Sequence, residues 1–419
     1  DGVVEGDEEC DDGDDEPGDG CEPSCALTRI VKLACGAAHT CALSSGGAVR
    51  CWGLGQFAVL GYGSLETVGD DELPIDAGNV DVGTYDVVDI VAGGQHTCVR
   101  TSAGELRCWG AGAFGQLGLG SVEAIGDDEA PSTSGPTPLG GAVIQHAAMA
   151  QTGCVVLEGG ALRCWGRNDG GQLGLGNTAN VGDDELPTDV EPSLPWIEAT
   201  RVSVGIRFAC ALEGGDVYCW GDAAYGQTGH GNLVTIGDNE LPWPSTSAVA
   251  IGGSATQLVT GNAHACALLE GGALRCWGRN DYGQLGQAAT LMIGDNEDPQ
   301  DAPLSQVGGV ITRIYANGGN TCALLEGGAL RCWGINAESQ LGVAGPPVGD
   351  NEHPGSVPPV EVGAEVVDAC VGQTHVCALT AAGAARCWGD NKSGQLGYGH
   401  TQTIGDDETP AQAGDVSVF

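Results

Sequence analysis

Carboxylates recur in a fixed register along this 419-residue chain. The motif Val/Ile-Gly-Asp-Asp/Asn-Glu-x-Pro occurs seven times, its glycine at positions 69, 126, 182, 237, 294, 349 and 405, and four copies carry three acids while three carry two. Clustered carboxylates beside the backbone carbonyls of a glycine turn offer the oxygen ligands, about six to eight, that a hard cation takes. On that reading Asp70 and Glu72, Asp127 and Glu129, Asp183 and Glu185, Asp238 and Glu240, Asp295 and Glu297, Asp350 and Glu352, and Asp406 and Glu408 are calcium ligands. A structural reading competes with it: each Asp caps its own turn, and each Glu pairs with the arginine that precedes a recurring Cys-Trp, at Arg50, Arg107, Arg163, Arg275, Arg331 and Arg386, with Tyr218 in the fourth unit. The two readings are compatible, and the sequence leaves both open. No cofactor is required; calcium is the one candidate.

The cysteines are the second chemical pattern. Cys-Trp-Gly begins at Cys51, Cys108, Cys164, Cys219, Cys276, Cys332 and Cys387, and each has a partner upstream, at Cys41, Cys98, Cys154, Cys210, Cys266, Cys322 and Cys377. Between partners lie turns such as Ser45-Gly46-Gly47 or Leu157-Glu158-Gly159-Gly160, the chemistry of a tight hairpin. The two cysteines then face one another across adjacent strands, within disulfide range. Zinc would need two pairs converging, whereas each hairpin carries one, so the expectation is seven disulfides and an oxidising compartment.

The elements that must position these groups follow from the repeat. Successive Cys-Trp spacings are 57, 56, 55, 57, 56 and 55 residues, so seven units account for everything from residue 26 to 419 and leave no room for a separate catalytic domain. Seventy-three glycines make poor helix material, and the stretch from His39 to Gly53 alternates with period two, as half-buried strands do. Segments such as 79–82 and 87–91 add strands before each hairpin, giving about four per unit. Four-stranded units about a common axis make a propeller. The expected fold is all-β, a closed seven-bladed propeller of four-stranded blades with one hairpin disulfide each.

The units resemble the regulator of chromosome condensation family, whose repeat combines Gly-x-x-His, an Ala-Leu strand, a glycine turn, Trp-Gly and Gly-Gln-Leu-Gly. In the second unit these are Gly93-Gly94-Gln95-His96, Trp109-Gly110 and Gly115-Gln116-Leu117-Gly118, with equivalents at 171–174, 283–286 and 394–397. The first unit departs, reading Gln56-Phe57-Ala58-Val59-Leu60-Gly61. The resemblance implies seven blades. For eukaryotic members it implies nucleotide exchange on a small GTPase and chromatin binding, which disulfides and a net charge of −41 argue against here. The C-terminal stretch 413–419 matches 77–83 and is expected to complete the first blade, residues 415–419 closing the ring. Cys35 and Cys370, just before the Gly-x-x-His stretches of the first and last units, are expected to bond across that closure, the alternative being two buried thiols.

Residues 1–25 form a separate expected module with twelve acids, no basic residue and Cys10, Cys21 and Cys25. It resembles a bacterial cysteine-rich disulfide repeat found near the start of surface and secreted proteins, through Asp1-Gly2-Val3-Val4, Glu9-Cys10-Asp11-Asp12-Gly13 and Asp19-Gly20-Cys21. That repeat usually carries a further cysteine just ahead, so the expectation is a signal peptide or lipid-anchor cysteine upstream of Asp1.

The charge repels phosphate backbones and anionic lipid, so nucleic acid is excluded as a partner, and no apolar run is long enough for membrane insertion. Enzyme motifs such as Gly-x-Ser-x-Gly, His-Glu-x-x-His or a phosphate loop are absent, and the chain reads as a non-enzyme. The repeat tryptophans read as inter-blade core. His39, His96, His264 and His375 share one repeat position and read as side chains held by backbone partners. Trp196 and Trp243 fall outside the repeat and, with Phe208 and Tyr225, are the candidate binding patch. The expected role is an extracellular or cell-surface interaction scaffold binding a protein, a polysaccharide or its own copies; the alternatives are a structural subunit of an extracellular assembly and a protein inhibitor of an extracellular enzyme.

Overall fold

In the computed structural model, residues 27–84, 86–242 and 247–419 are described. The expected module of residues 1–25 and Trp243 lie outside them. Seven antiparallel three-stranded sheets follow one another along the chain. In blade 1 the strands are Ile30–Cys35, His39–Ser44 and Val49–Gly53, and the inner strands of the other blades are Val87–Ala92, Val143–Met149, Arg201–Val204, Ala255–Thr260, Ile311–Asn317 and Val366–Val371. Neighbouring inner strands touch in an unbroken cycle, blade 1 meeting both blade 2 and blade 7.

The hairpin cysteines pair in register in every blade, Cys41 opposite Cys51 and likewise to Cys377 opposite Cys387. Their Cα atoms lie 4.0 Å apart in blade 1 and 4.1 Å in the others, and all seven are disulfides. Such close approach is characteristic of a non-hydrogen-bonded antiparallel pair. Cys35 and Cys370 are also bonded, joining blades 1 and 7.

Two expectations need correction. The fourth strand follows the hairpin instead of preceding it, and it is reduced to an extended segment attached by little more than one backbone contact. Val80 N donates to Val49 O at 2.8 Å, and Thr137, Val249, Ser305, Val360 and Val416 make the same bond in their blades; in blade 3 the contact is an isolated bridge between Leu162 and Ser193. The second correction follows. Val416 N donates to Ala385 O, so the C-terminal segment completes blade 7 and not blade 1. Each blade is built from consecutive chain, and blades 7 and 1 meet through ordinary lateral contacts: Ile75 N donates to Ser417 O at 3.2 Å, as Ser132 does to Asp81 and Gln300 to Ala250 at earlier joints. Arg50 adds a guanidinium bond to the Val418 carbonyl and stacks 5.0 Å over the Phe419 ring.

The core lies between blades. The seven repeat tryptophans are the largest fully buried side chains, and six donate Nε1–H to a carbonyl in the Gly-Gln-Leu-Gly turn of the blade before, as Trp165 does to Gln116 O at 2.9 Å. At the joint between blades 7 and 1, Thr40 Oγ1 donates to Gln395 O at 2.9 Å, the bond that Thr97 and Thr321 make beside the tryptophan of their own joints.

Candidate functional site

Each inner strand runs from the face that carries the hairpin tips to an opposite face, where the third strand ends and the acidic motif begins. Val68, just ahead of Gly69, bridges Gly53 at the end of the third strand, and the same pairing recurs in the other six blades. The motif glycine then locks against the preceding blade. All seven have φ between +93° and +101°, a region that side chains with a Cβ rarely adopt. A Cβ on Gly182 would lie 2.4 Å from Gly115 O, and Gly69 stands in the same relation to Gly394 O at 2.5 Å across the joint between blades 7 and 1. Gly-Gln-Leu-Gly and Gly-Asp-Asp/Asn-Glu are thus the two halves of a lateral clasp.

The acids of the clasp divide into two groups. Carboxylate oxygens converge within 4.8 Å at Asp70, Asp71 and Glu72; Asp127, Asp128 and Glu129; Asp183, Asp184 and Glu185; and Asp406, Asp407 and Glu408. In the other three units the middle residue is Asn239, Asn296 or Asn351, so Asp238 and Glu240, Asp295 and Glu297, and Asp350 and Glu352 form no such three-carboxylate group. Some of these acids cap their own turns: Asn351 N donates to Asp350 Oδ1 at 2.9 Å, Asp407 N to Asp406 Oδ1 at 3.1 Å, and Gly237 N to Glu240 Oε1 at 3.2 Å. Burial and then Asp407 push the Glu408 carboxyl up to about 7. Burial likewise raises Glu72, Glu185 and Glu297, and a hydrogen bond with Asp128 raises Glu129.

The expected Glu–Arg pairing fails. Arg107 donates to Ser134 O, Arg163 to Pro187 O and Val190 O, Arg275 to Ile251 O and Ala302 O, Arg331 to Pro354 O and Val357 O, and Arg386 to Val362 O. The carbonyls belong to the short helical turn after the motif proline and to the outer segments, so these five guanidinium groups fasten the outer edge. Arg386 also pairs with Asp415 at 2.7 Å, which is not a motif acid.

The repeat histidines are buried on the clasp side, and three of the four meet a hydroxyl where a backbone partner was expected. His39 Nε2 lies 3.0 Å from Thr97 Oγ1, His264 Nε2 2.9 Å from Thr321 Oγ1, and His375 Nε2 2.8 Å from Thr40 Oγ1, each threonine belonging to the next blade. His96 has the backbone of Ala150 in blade 3 as its partner instead. Burial lowers His39 to about 3, and His96, His264 and His375 to about 4, so all four are neutral in the fold.

Of the candidate binding patch, Phe208, Trp196 and Tyr225 are described, and they differ in exposure. Phe208 takes the place of a repeat histidine, a position held by Thr152 and Asn320 in blades 3 and 6, and is fully buried. Trp196 is partly buried against a core cluster. Among these three described residues Tyr225 alone is exposed, with Arg279 of the next blade 4.9 Å above its ring. What the structure does assemble is a different set. At the position just before Gly-Gln-Leu-Gly stand Phe57, Phe114, Tyr225 and Tyr282, and Arg167 lies 5.2 Å over Phe114. The loop leading into the motif adds exposed aliphatics: Leu65, Val122, Val234, Leu291 and Val343, with Leu291 77 % exposed. A sequence signal existed, since the aromatics share one repeat position while Gly170, Glu338 and Ser393 occupy it elsewhere. Aromatics, arginines and aliphatics beside carboxylates give this clasp face the composition of a protein-binding surface. No helix of the described residues is long and apolar enough to cross a membrane.

Comparison with known proteins agrees with this architecture. The model of the regulator of chromosome condensation (RCC1) repeat matches residues 30–58, 87–116, 160–212, 255–284 and 366–395. The chain is 32 % identical over 387 residues to the ultraviolet-B receptor UVR8 of Arabidopsis thaliana, spanning 89 % of this chain and 80 % of the receptor. Among solved structures it is similar to yeast RCC1 (Prp20) bound to Kap60, with TM-score 0.69 and 17 % identity over 93 % of this chain and 85 % of that one. Human WBSCR16 gives TM-score 0.65 and 20 % identity, covering 84 % and 87 %.

Proposed function

The chain belongs to the regulator of chromosome condensation repeat family, and from that membership and its exposed clasp face we propose that it is an extracellular or surface-held scaffold that binds a protein partner. The observation that carries the reading is the concentration of exposed aromatic and aliphatic side chains on the clasp face. Eight disulfides among the described residues suit an oxidising compartment. They also stiffen the blades, so the face is presented without much ordering cost on binding. Calcium at the four Asp-Asp-Glu clusters would neutralise charge beside that surface and leave the three Asp-Asn-Glu units empty. The reading is tested on protein isolated with its associates: Tyr225→Ser with Tyr282→Ser should release the partner while thermal stability stays within a few degrees. Retention of the partner by this variant overturns the assignment of the face, and a partner that proves to be another copy makes the scaffold self-assembling.

A further inference from the structure

The opposite face holds a second site. The chain has fifteen basic residues against fifty-six acidic ones, yet three of the fifteen gather at the axial mouth where the inner strands begin. A cavity of about 520 Å³ is lined there by Lys32, Arg201, Gln257, Arg313, Tyr315 and Asp368 over an apolar floor. Lys32, Arg201, Gln257, Arg313 and Asp368 occupy the same register position on five different inner strands. Lys32 pairs with Asp89, Arg313 with Asp368 at 3.1 Å, and Tyr315 donates to Asp368 at 2.7 Å. Arg201 is exposed and has no partner among the described residues. The lining is thus net cationic inside a strongly anionic molecule, which focuses the field on the mouth.

We propose that this mouth is a binding site for clustered carboxylates and that its occupant is the acidic segment 1–25 of the same chain. That segment carries twelve acids and no base, the complement of the mouth. It also enters the fold on the same face: it leads into the inner strand of blade 1, and Lys32 is the third residue of that strand. At about 3.3 Å per extended residue, ten residues reach about 33 Å. Tethering gives the carboxylates a local concentration on the order of millimolar, so individually weak contacts suffice for occupancy.

The full chain provides its own reporter, because it contains only two lysines, Lys32 and Lys392. Lys392 lies in the loop after the third strand of blade 7, on the clasp face, where it pairs with Glu338 and Asp390. Zero-length carbodiimide crosslinking followed by mass mapping should join Lys32 to acids between Asp7 and Glu22, at least several-fold more often than Lys392. Raising salt from 50 to 500 mM should remove most of this product, and Arg201→Gln, which breaks no contact, should reduce it at least twofold. The Lys32–Asp89 crosslink controls for reagent access. Equal joining to both lysines, or a yield indifferent to Arg201→Gln and to salt, overturns the proposal. So does a product that forms only between differently labelled copies.

Discussion

Gly182→Ala tests the clasp most sharply, because a second glycine separates the two costs involved. At Gly182, φ is +98° and the new Cβ would stand 2.4 Å from Gly115 O and 2.9 Å from the Gly118 Cα. At Gly271, in the hairpin turn of blade 5, φ is +88° and no atom lies within 4 Å of the Cβ site. Holding alanine at positive φ costs about 1–2 kcal/mol at either position. Both gain about 0.4–1 kcal/mol from the stiffer unfolded chain. Only Gly182→Ala must also push two backbones apart in a packed joint, at about 1–3 kcal/mol more. The account therefore expects a net loss of about 0–2 kcal/mol for Gly271→Ala and about 1–5 kcal/mol for Gly182→Ala. Urea unfolding of both variants measures this difference, and amide exchange should show the extra opening confined to blades 2 and 3, since repeat arrays lose stability joint by joint. Equal losses in the two variants would refute the clasp.

Two further outcomes follow from the acids and histidines. The unfolded chain protonates its histidines near pH 6.5, whereas the buried His264, His96 and His375 resist until about pH 4, so stability should fall as pH drops through that window. Glu408 acts in the opposite sense: the fold keeps its proton to about pH 7 while the unfolded chain releases it near 4.5, so stability falls as pH rises between those values. Melting measured against pH should flatten on its acid limb in His264→Gln and on its neutral limb in Glu408→Gln; unchanged slopes would contradict the burial argument. For calcium, melting with chelator, with calcium and with sodium at matched ionic strength is the comparison. Occupancy at ~100 times Kd adds about 2.7 kcal/mol per site, more at pH 8 than at pH 5, where Glu408 is protonated, and identical curves in calcium and sodium would leave the motif purely a clasp.

The periodic part of the molecule was legible in the chain because disulfides and tryptophans fix both register and blade number. Cys41 and Cys51 could be paired from a ten-residue spacing and a glycine turn alone, and Cys35 with Cys370 from the circularity of the repeat. Strand order at the blade edge was not legible. The segment 79–82 has strand-like alternation, yet a single backbone bond, Val80 N to Val49 O, ties it to a hairpin, and nothing local says whether that bond goes to the hairpin before or after it. The same ambiguity misplaced Val416. The Arg–Glu pairing failed because matching counts do not reveal direction: the arginines point to the outer edge, and the acids lie at the clasp. Phe208 looked singular in the sequence, but it stands at a buried repeat position that takes histidine, threonine or asparagine in other blades. The aromatic surface was missed because its members vary between Phe and Tyr and are interrupted in three blades.

The central claim is that binding occurs on the clasp face, and site-specific photocrosslinking tests it directly. A benzophenone side chain at Tyr282, 39 % exposed on that face, is compared with one at Val310, 62 % exposed at the hairpin-tip end of blade 6. Irradiated in its native setting, the Tyr282 protein should yield one adduct of defined mass that the Val310 protein does not. An adduct from Val310 alone, or the same adduct from both positions, would contradict the account.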